Sequence, residues 1–244
     1  MRNKKNTSSK IRTVLPLGKD LEWNSFYFIG IGGIGMSAIA RYFSTHGKQV
    51  GGYDKTPSEI TNTLEELGAK IHFDDGINNI PTSFLNPEET IVVYTPAISE
   101  NNIELRYFLE NNFTVLKRSE ILGKITESTF CLAVAGTHGK TTTSAILGHI
   151  MTAVNATSFL GGIAENYNSN LILGATEITV VEADEFDRSF LKLSPNVACV
   201  TSMDADHLDI YGDAESLHAS FDAFAHKVSD TLIVAKGLPL KGLT

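Results

Sequence analysis

The chain has 244 residues, a formal net charge of -8 and 42% hydrophobic side chains, enough to bury the cores of two modest domains. An acidic balance without a clustered basic patch excludes nucleic acid as a partner. No run is long and apolar enough to span a bilayer, which excludes a membrane segment. Its two cysteines, Cys131 and Cys199, each sit in an apolar run, so no disulfide framework is expected and a reducing cytoplasm fits.

Residues 1–22 read as a loose tail: Met1-Arg2-Asn3-Lys4-Lys5 is basic like the start of a signal peptide, but polar Asn6-Thr7-Ser8-Ser9-Lys10 follows with no apolar segment behind it. Phe26-Tyr27-Phe28-Ile29 reads as a short buried strand. It leads into Gly30-Ile31-Gly32-Gly33-Ile34-Gly35 and then a helix from Met36 to Phe43, which is G-x-G-x-x-G between strand and helix. Gly47 closes that helix, residues 48–53 form the next strand, and Asp54 stands at its end, where a ribose-binding acid is expected. A helix from Ser58 to Leu67 and a strand over 69–72 continue the alternation, followed by a strand over 90–94, a helix over 102–110 and a short strand over 114–116. The motif does not specify a dinucleotide. Any ligand with a diphosphate and a ribose presents the same groups, so a UDP-sugar satisfies it equally.

Residues 117–123 read as a crossing segment, and the domain boundary falls near Thr126 to Ser128. The apolar run Phe130-Cys131-Leu132-Ala133 then enters Val134-Ala135-Gly136-Thr137-His138-Gly139-Lys140-Thr141-Thr142-Thr143, a strand, a glycine turn and a helix start. Such a turn directs backbone N–H groups at a phosphate, the helix start adds partial positive charge, Lys140 reaches the β- and γ-phosphates and the Thr141 hydroxyl faces Mg²⁺. The usual phosphate-loop pattern has glycine where this chain has Val134, so Gly136 and Gly139 must make the turn.

Beyond the helix, residues 166–174 read as a polar connecting loop. The buried strand Ile178-Thr179-Val180-Val181 delivers Glu182 to its carboxyl end, followed by Ala183-Asp184-Glu185-Phe186-Asp187; an acid there, beside a phosphate loop, suits Mg²⁺. Another strand covers 196–200. On spacing alone His207, between Asp206 and Asp209, reads as a surface histidine. A helix over 215–228 and a strand over 231–235 close the chain.

Four ordered motifs, residues 30–37, 135–143, Glu182-Ala183-Asp184-Glu185 and Asp206-His207-Leu208-Asp209, resemble the Mur ligases from about residue 24 onward. The resemblance implies an α/β fold: a Rossmann-like UDP-sugar domain over 23–125, then a P-loop-type α/β ATPase domain over 126–244, incomplete, with the family's C-terminal domain absent. It implies that Gly30, Gly32, Gly33 and Gly35 cradle the UDP diphosphate, with Asp54 near the uridine and Asn170 and Gly174 near the muramyl end. Gly136, Thr137, His138, Gly139, Lys140, Thr141 and Thr142 would hold ATP, Thr141 and Glu182 one Mg²⁺ and His207 a second, with Lys140, Glu182 and His207 as the catalytic set.

Within the family the alanine-adding branch fits best, an ATP-dependent joining of L-alanine to the lactyl carboxylate of UDP-N-acetylmuramate through an acyl phosphate. Three positions depart from common family residues: Ser202 replaces an asparagine, Asn168 a glycine, and Phe221 a carbamylated lysine that the alanine-adding branch generally lacks. The competing readings are a sister ligase that attaches a recycled peptide to the same sugar, and a non-catalytic UDP-sugar or dinucleotide-binding module.

Overall fold

The computed structural model describes residues 23–204 and 211–240. The expected tail over 1–22 lies outside these residues, as do Asp206, His207 and Asp209.

Two sheets organise the chain. The first takes strands β1 (Ser25–Ile29), β2 (Gln49–Tyr53), β3 (Lys70–His72), β4 (Thr90–Tyr94) and β5 (Thr114–Lys117) in the order β3-β2-β1-β4-β5, with every pairing parallel. Helices α1 (Ile34–Thr45), α2 (Glu59–Glu66) and α3 (Ile103–Glu110) connect strands of this sheet. β1 lies at the centre and is buried on both faces, as parallel sheets require. Its alternation sends Phe26 and Phe28 into one apolar cluster, while Tyr27 and Ile29 enter another with Phe84 and Phe108. α2 and α3 start on side-chain caps, Ser58 accepting from Thr61 N and Asn102 from Leu105 N.

The segment expected to be a mere crossing is a helix, α4 (Arg118–Glu127), which carries the chain to the second sheet. Glu120 there accepts from Lys117 N at 2.9 Å, a capping interaction that the charged opening obscured. The second sheet comprises β6 (Phe130–Ala135), β7 (Thr157–Ala164), β8 (Ser169–Ile172), β9 (Ile178–Ala183), β10 (Val197–Val200) and β11 (Thr231–Val234), ordered β11-β10-β6-β9-β7-β8. All its pairings are parallel except that of β7 with β8. That hairpin replaces most of the connecting loop expected over 166–174, its register shifting between Phe159 and Ala164. α5 (Lys140–Met151) follows β6, and α6 (Ala214–Lys227) precedes β11.

α1 packs between the two halves. One cluster runs from Phe26, Ile39 and Phe43 through to Phe159, Leu171 and Val181, and the Tyr42 and Phe159 rings meet edge-on at 5.3 Å. The hairpin adds polar ties, Arg41 donating to Ser169 Oγ at 2.7 Å and Asn170 Nδ2 to Ile34 O. Among the described residues no helix is long and apolar enough to cross a membrane.

Candidate active site

The turn after β6 is set by its neighbours. Gly136 has φ +138 and Gly139 +81, backbone that side chains other than glycine rarely adopt, and a Cβ on Gly136 would run into Thr201 Oγ1. Thr201 and Ser202, at the carboxyl end of β10, brace the turn. Ser202 Oγ accepts from His138 N at 2.7 Å and lies 3.0 Å from Thr137 Oγ1, and Thr201 Oγ1 donates to His138 O. α5 then starts on Gly139 with no side-chain cap and no acid in its first turn, leaving its positive end for an anion.

Lys140 folds back over this turn, donating to Gly136 O at 2.7 Å and to Glu185, whose carboxylate lies 2.7 Å away. Glu185 is fully buried, so Lys140 supplies the counter-charge without which an ionised carboxylate is costly to bury. Glu182 leaves the end of β9 and collects three donors: Thr141 Oγ1 at 3.0 Å, Ser144 Oγ at 3.1 Å and the Gly161 amide at 3.0 Å. The acidic turn thus splits its work, since Asp184 faces Arg118 at 3.8 Å and Asp187 faces Lys117 at 3.6 Å. Asp187 and Arg188 both hold left-handed backbone, φ +51 and +55, strain of the sort that collects at functional turns.

The first glycine turn is built on the same scheme with different fastenings. Gly30 and Ile31 donate to Tyr53 O, and Gly32 N donates to Asp54 Oδ2 at 2.7 Å. Asp54 therefore stabilises the loop backbone directly. α1 begins on Gly33, again without a side-chain cap or an acid in its first turn. Between this helix start and the end of β9 lies a cleft of about 360 Å³, lined by Gly33, Gly35, Arg118, Gly161, Glu182 and Asp184 among others.

Several expected residues thus meet at this cleft or beside it. Gly33 and Gly35 line the cleft, Lys140 sits one residue before Thr141, and Thr141 meets Glu182, which itself lines the cleft. Thr142 is exposed in the first turn of α5 and His138 is exposed, 3.8 Å from Asp204. Asn170 and Gly174 make other contacts. Asn170 is 4% exposed, and its amide is directed at Ile34 O and Ser37 Oγ, so it straps α1 to the hairpin. Gly174 packs against the backbone of Asn155 and Ala156, an approach that leaves no room for a Cβ. Neither lines the cleft. Sequence reasoning missed the roles of Thr201, Ser144 and Arg118. The Ser202 departure and the position of Glu185 in the acidic turn were the available signals.

The donor set suits Mg²⁺. A hydroxyl and a carboxylate 3.0 Å apart are hard oxygen ligands, and this ion takes one or two carboxylates with the rest from phosphate and water. Among the described residues there is no cluster of three or more His, Cys, Asp or Glu able to hold an ion by themselves.

Two largely parallel sheets, each with a glycine turn opening an uncapped helix, define an α/β protein with two candidate anion sites. The model for the "Mur ligase family, catalytic domain" matches residues 25–129 and that for the "Mur ligase middle domain" residues 134–237. The chain belongs to the Mur ligase family. It is 62% identical over 225 residues to the UDP-N-acetylmuramate–L-alanine ligase of Flavobacterium psychrophilum, covering 91% of this chain and 50% of that protein. The enzyme of the same name from Parabacteroides distasonis is 52% identical over 217 residues, covering 87% and 47%. Among solved structures, the UDP-N-acetylmuramate-alanine ligase of Thermotoga maritima superposes with a TM-score of 0.76 at 29% identity, over 87% of this chain and 49% of that one. The chain spans about half the length of the curated relatives it matches.

Proposed function

We propose that this chain carries the UDP-sugar and ATP sites of an enzyme joining L-alanine to UDP-N-acetylmuramate in peptidoglycan precursor synthesis, with residues 23–125 serving the sugar nucleotide and 126–244 serving ATP. The observation that carries the reading is the double placement of Glu182, bonded to Thr141 of the phosphate loop and lining the cleft below α1. A carboxylate at that junction lies where the two substrates' reacting ends must meet. The identity to enzymes named for this reaction supports the same conclusion. The free thiols Cys131 and Cys199 accord with a cytoplasmic setting.

The reaction has two steps. The lactyl carboxylate attacks the γ-phosphorus, releasing ADP and forming an acyl phosphate; the alanine amine then attacks the acyl carbon, expelling phosphate and forming the amide. The first step brings two anions together, so its barrier is largely electrostatic. Lys140 stays tethered to buried Glu185 and exchanges its bond to Gly136 O for a phosphate oxygen, which fixes where its charge is delivered. The first amides of α5 point at the same phosphates. Thr141 and Glu182 would hold Mg²⁺, with His207 as ligand of a second ion, which would supply positive charge beside the transferring phosphoryl group. Ser144 and the Gly161 amide orient the Glu182 carboxylate.

Calorimetric titration of the chain tests this. Both Mg-ATP and UDP-N-acetylmuramate should bind, and Lys140→Met should weaken Mg-ATP by roughly 10- to 100-fold, as expected for a lost charge-assisted hydrogen bond, without changing the sugar nucleotide. Binding of NADH at the first glycine turn with no binding of Mg-ATP would reassign the chain as a dinucleotide module.

A further inference from the structure

α4 opens with Arg118, and its side chain lies over the first turn of α1. A Cβ built on Gly35 would sit 2.6 Å from Arg118 Nη1 and 3.1 Å from its Cδ. Gly35 is not among the left-handed glycines, so what a side chain there would meet is the movable end of this arginine and not strained backbone. The last glycine of the motif is therefore matched to a residue more than eighty positions away in sequence.

Arg118 is the one basic side chain among the described residues lining the cleft, where two carboxylates, Glu182 and Asp184, accompany it. A diphosphate brings about two further negative charges, and a helix start offers only about half a positive one against them. The guanidinium is also the right shape, a planar fork that takes two phosphate oxygens at once. Its present partner holds it loosely. Asp184 spends Oδ1 on Phe186 N at 3.1 Å and faces Arg118 with Oδ2 at 3.8 Å, the two side chains 28% and 40% exposed. An ion pair of that length and exposure is weak and exchangeable.

We propose that Arg118 is a phosphate-binding residue of the cleft, exchanging Asp184 for the diphosphate of the UDP-sugar, with Asp184 as the carboxylate that competes for the fork. The assignment rests on the UDP-sugar reading above. It makes the first site a composite: the backbone comes from the glycine turn, and the charge from the helix that leads into the second half.

Equilibrium titrations with UDP, UDP-N-acetylglucosamine and UDP-N-acetylmuramate test it on the chain and its variants. Arg118→Ala should weaken all three alike by roughly 10- to 100-fold, and Arg118→Lys should recover only part of that. Asp184→Asn should tighten all three by about threefold, because the competing carboxylate charge is gone. Gly35→Ala should follow Arg118→Ala by displacing the fork. Opposite signs for the two members of the pair are what a purely structural strut would not give. Unchanged UDP affinity in folded Arg118→Ala overturns the proposal, as does weakening by Asp184→Asn. Weakening confined to UDP-N-acetylmuramate would move the guanidinium to the lactyl carboxylate and overturn the diphosphate assignment. Should Arg118→Ala melt too low to titrate, Arg118→Gln and Asp184→Asn carry the same test. Failure of the unsubstituted chain to bind any of the three sinks the UDP-sugar reading itself, and this proposal with it.

Discussion

The two glycine turns share a plan and differ in where their charge comes from. Each follows a central strand of its sheet and opens a helix that has no side-chain cap and no acid in its first turn. In the second turn the lysine is local, four residues from Gly136, and its counter-ion Glu185 is buried. In the first turn no basic residue lies within the motif, and the cation beside it, Arg118, comes from α4. The bracing differs too: hydroxyls of Thr201 and Ser202 hold the second turn, whereas a carboxylate, Asp54, holds the first through the Gly32 amide. One backbone device therefore recurs in both halves, with the side chains around it deciding how much positive charge stands beside each turn.

The comparison is broken most severely at Gly136. Alanine there would take up left-handed backbone and meet Thr201 Oγ1, with Ser202 N only 2.9 Å away. Gly136→Ala should lose roughly 3 kcal/mol or more of stability, read from chemical denaturation, together with Mg-ATP binding. Retention of both would mean that the turn tolerates a wider path than its bracing suggests.

A smaller effect distinguishes the halves by pH. On the far side of the first sheet, Glu104 is buried, accepting from Tyr27 OH at 2.6 Å and from Gly76 N at 3.2 Å, with His72 Nε2 3.4 Å away. Burial raises its carboxyl from 4.5 to about 7. Because the folded state holds this proton more tightly than the unfolded chain, stability falls as pH rises from about 4.5 to about 7 and levels off above. The drop should be up to about 3 kcal/mol and should vanish in Glu104→Gln. His72, lowered by burial, contributes a loss in the opposite direction, below 6.5, so the window from about 6.5 to about 7 reports on Glu104. Identical pH profiles for the unsubstituted chain and Glu104→Gln would place the stability change elsewhere.

The mildest change sharpens the contrast in bracing. Ser202→Ala removes the acceptor of His138 N and should cost about 1 kcal/mol in thermal denaturation while UDP-sugar affinity stays within about twofold. A matching loss of UDP-sugar affinity would show that the two turns are not independently supported.

Much of this organisation is legible in the chain. Strand-glycine-helix order places both turns, and the apolar approach to Glu182 places the acid, because those signals are local and periodic. What escapes is decided by partners distant in sequence. Asn170 and Gly174 lie in an asparagine-rich stretch that resembles a loop, yet pairing with β7 makes a strand of Ser169–Ile172. Glu185 looks like one more acid in a solvated turn until Lys140 is seen to cover it. Arg118 opens a helix whose charged first residues masked it, and its function is set by Gly35 on another helix.

β7 has a further consequence. Phe159 of that strand packs on Tyr42 of α1, and two residues on, Gly161 donates to Glu182. An extended chain advances about 3.3 Å per residue, so this strand acts as a ruler of roughly 7 Å between its contact with α1 and its contact with Glu182. Inserting or deleting a single residue between them would turn the Phe159 ring to the other face of the sheet relative to the Gly161 amide, so the offset between α1 and the acid is written into one strand's count of residues.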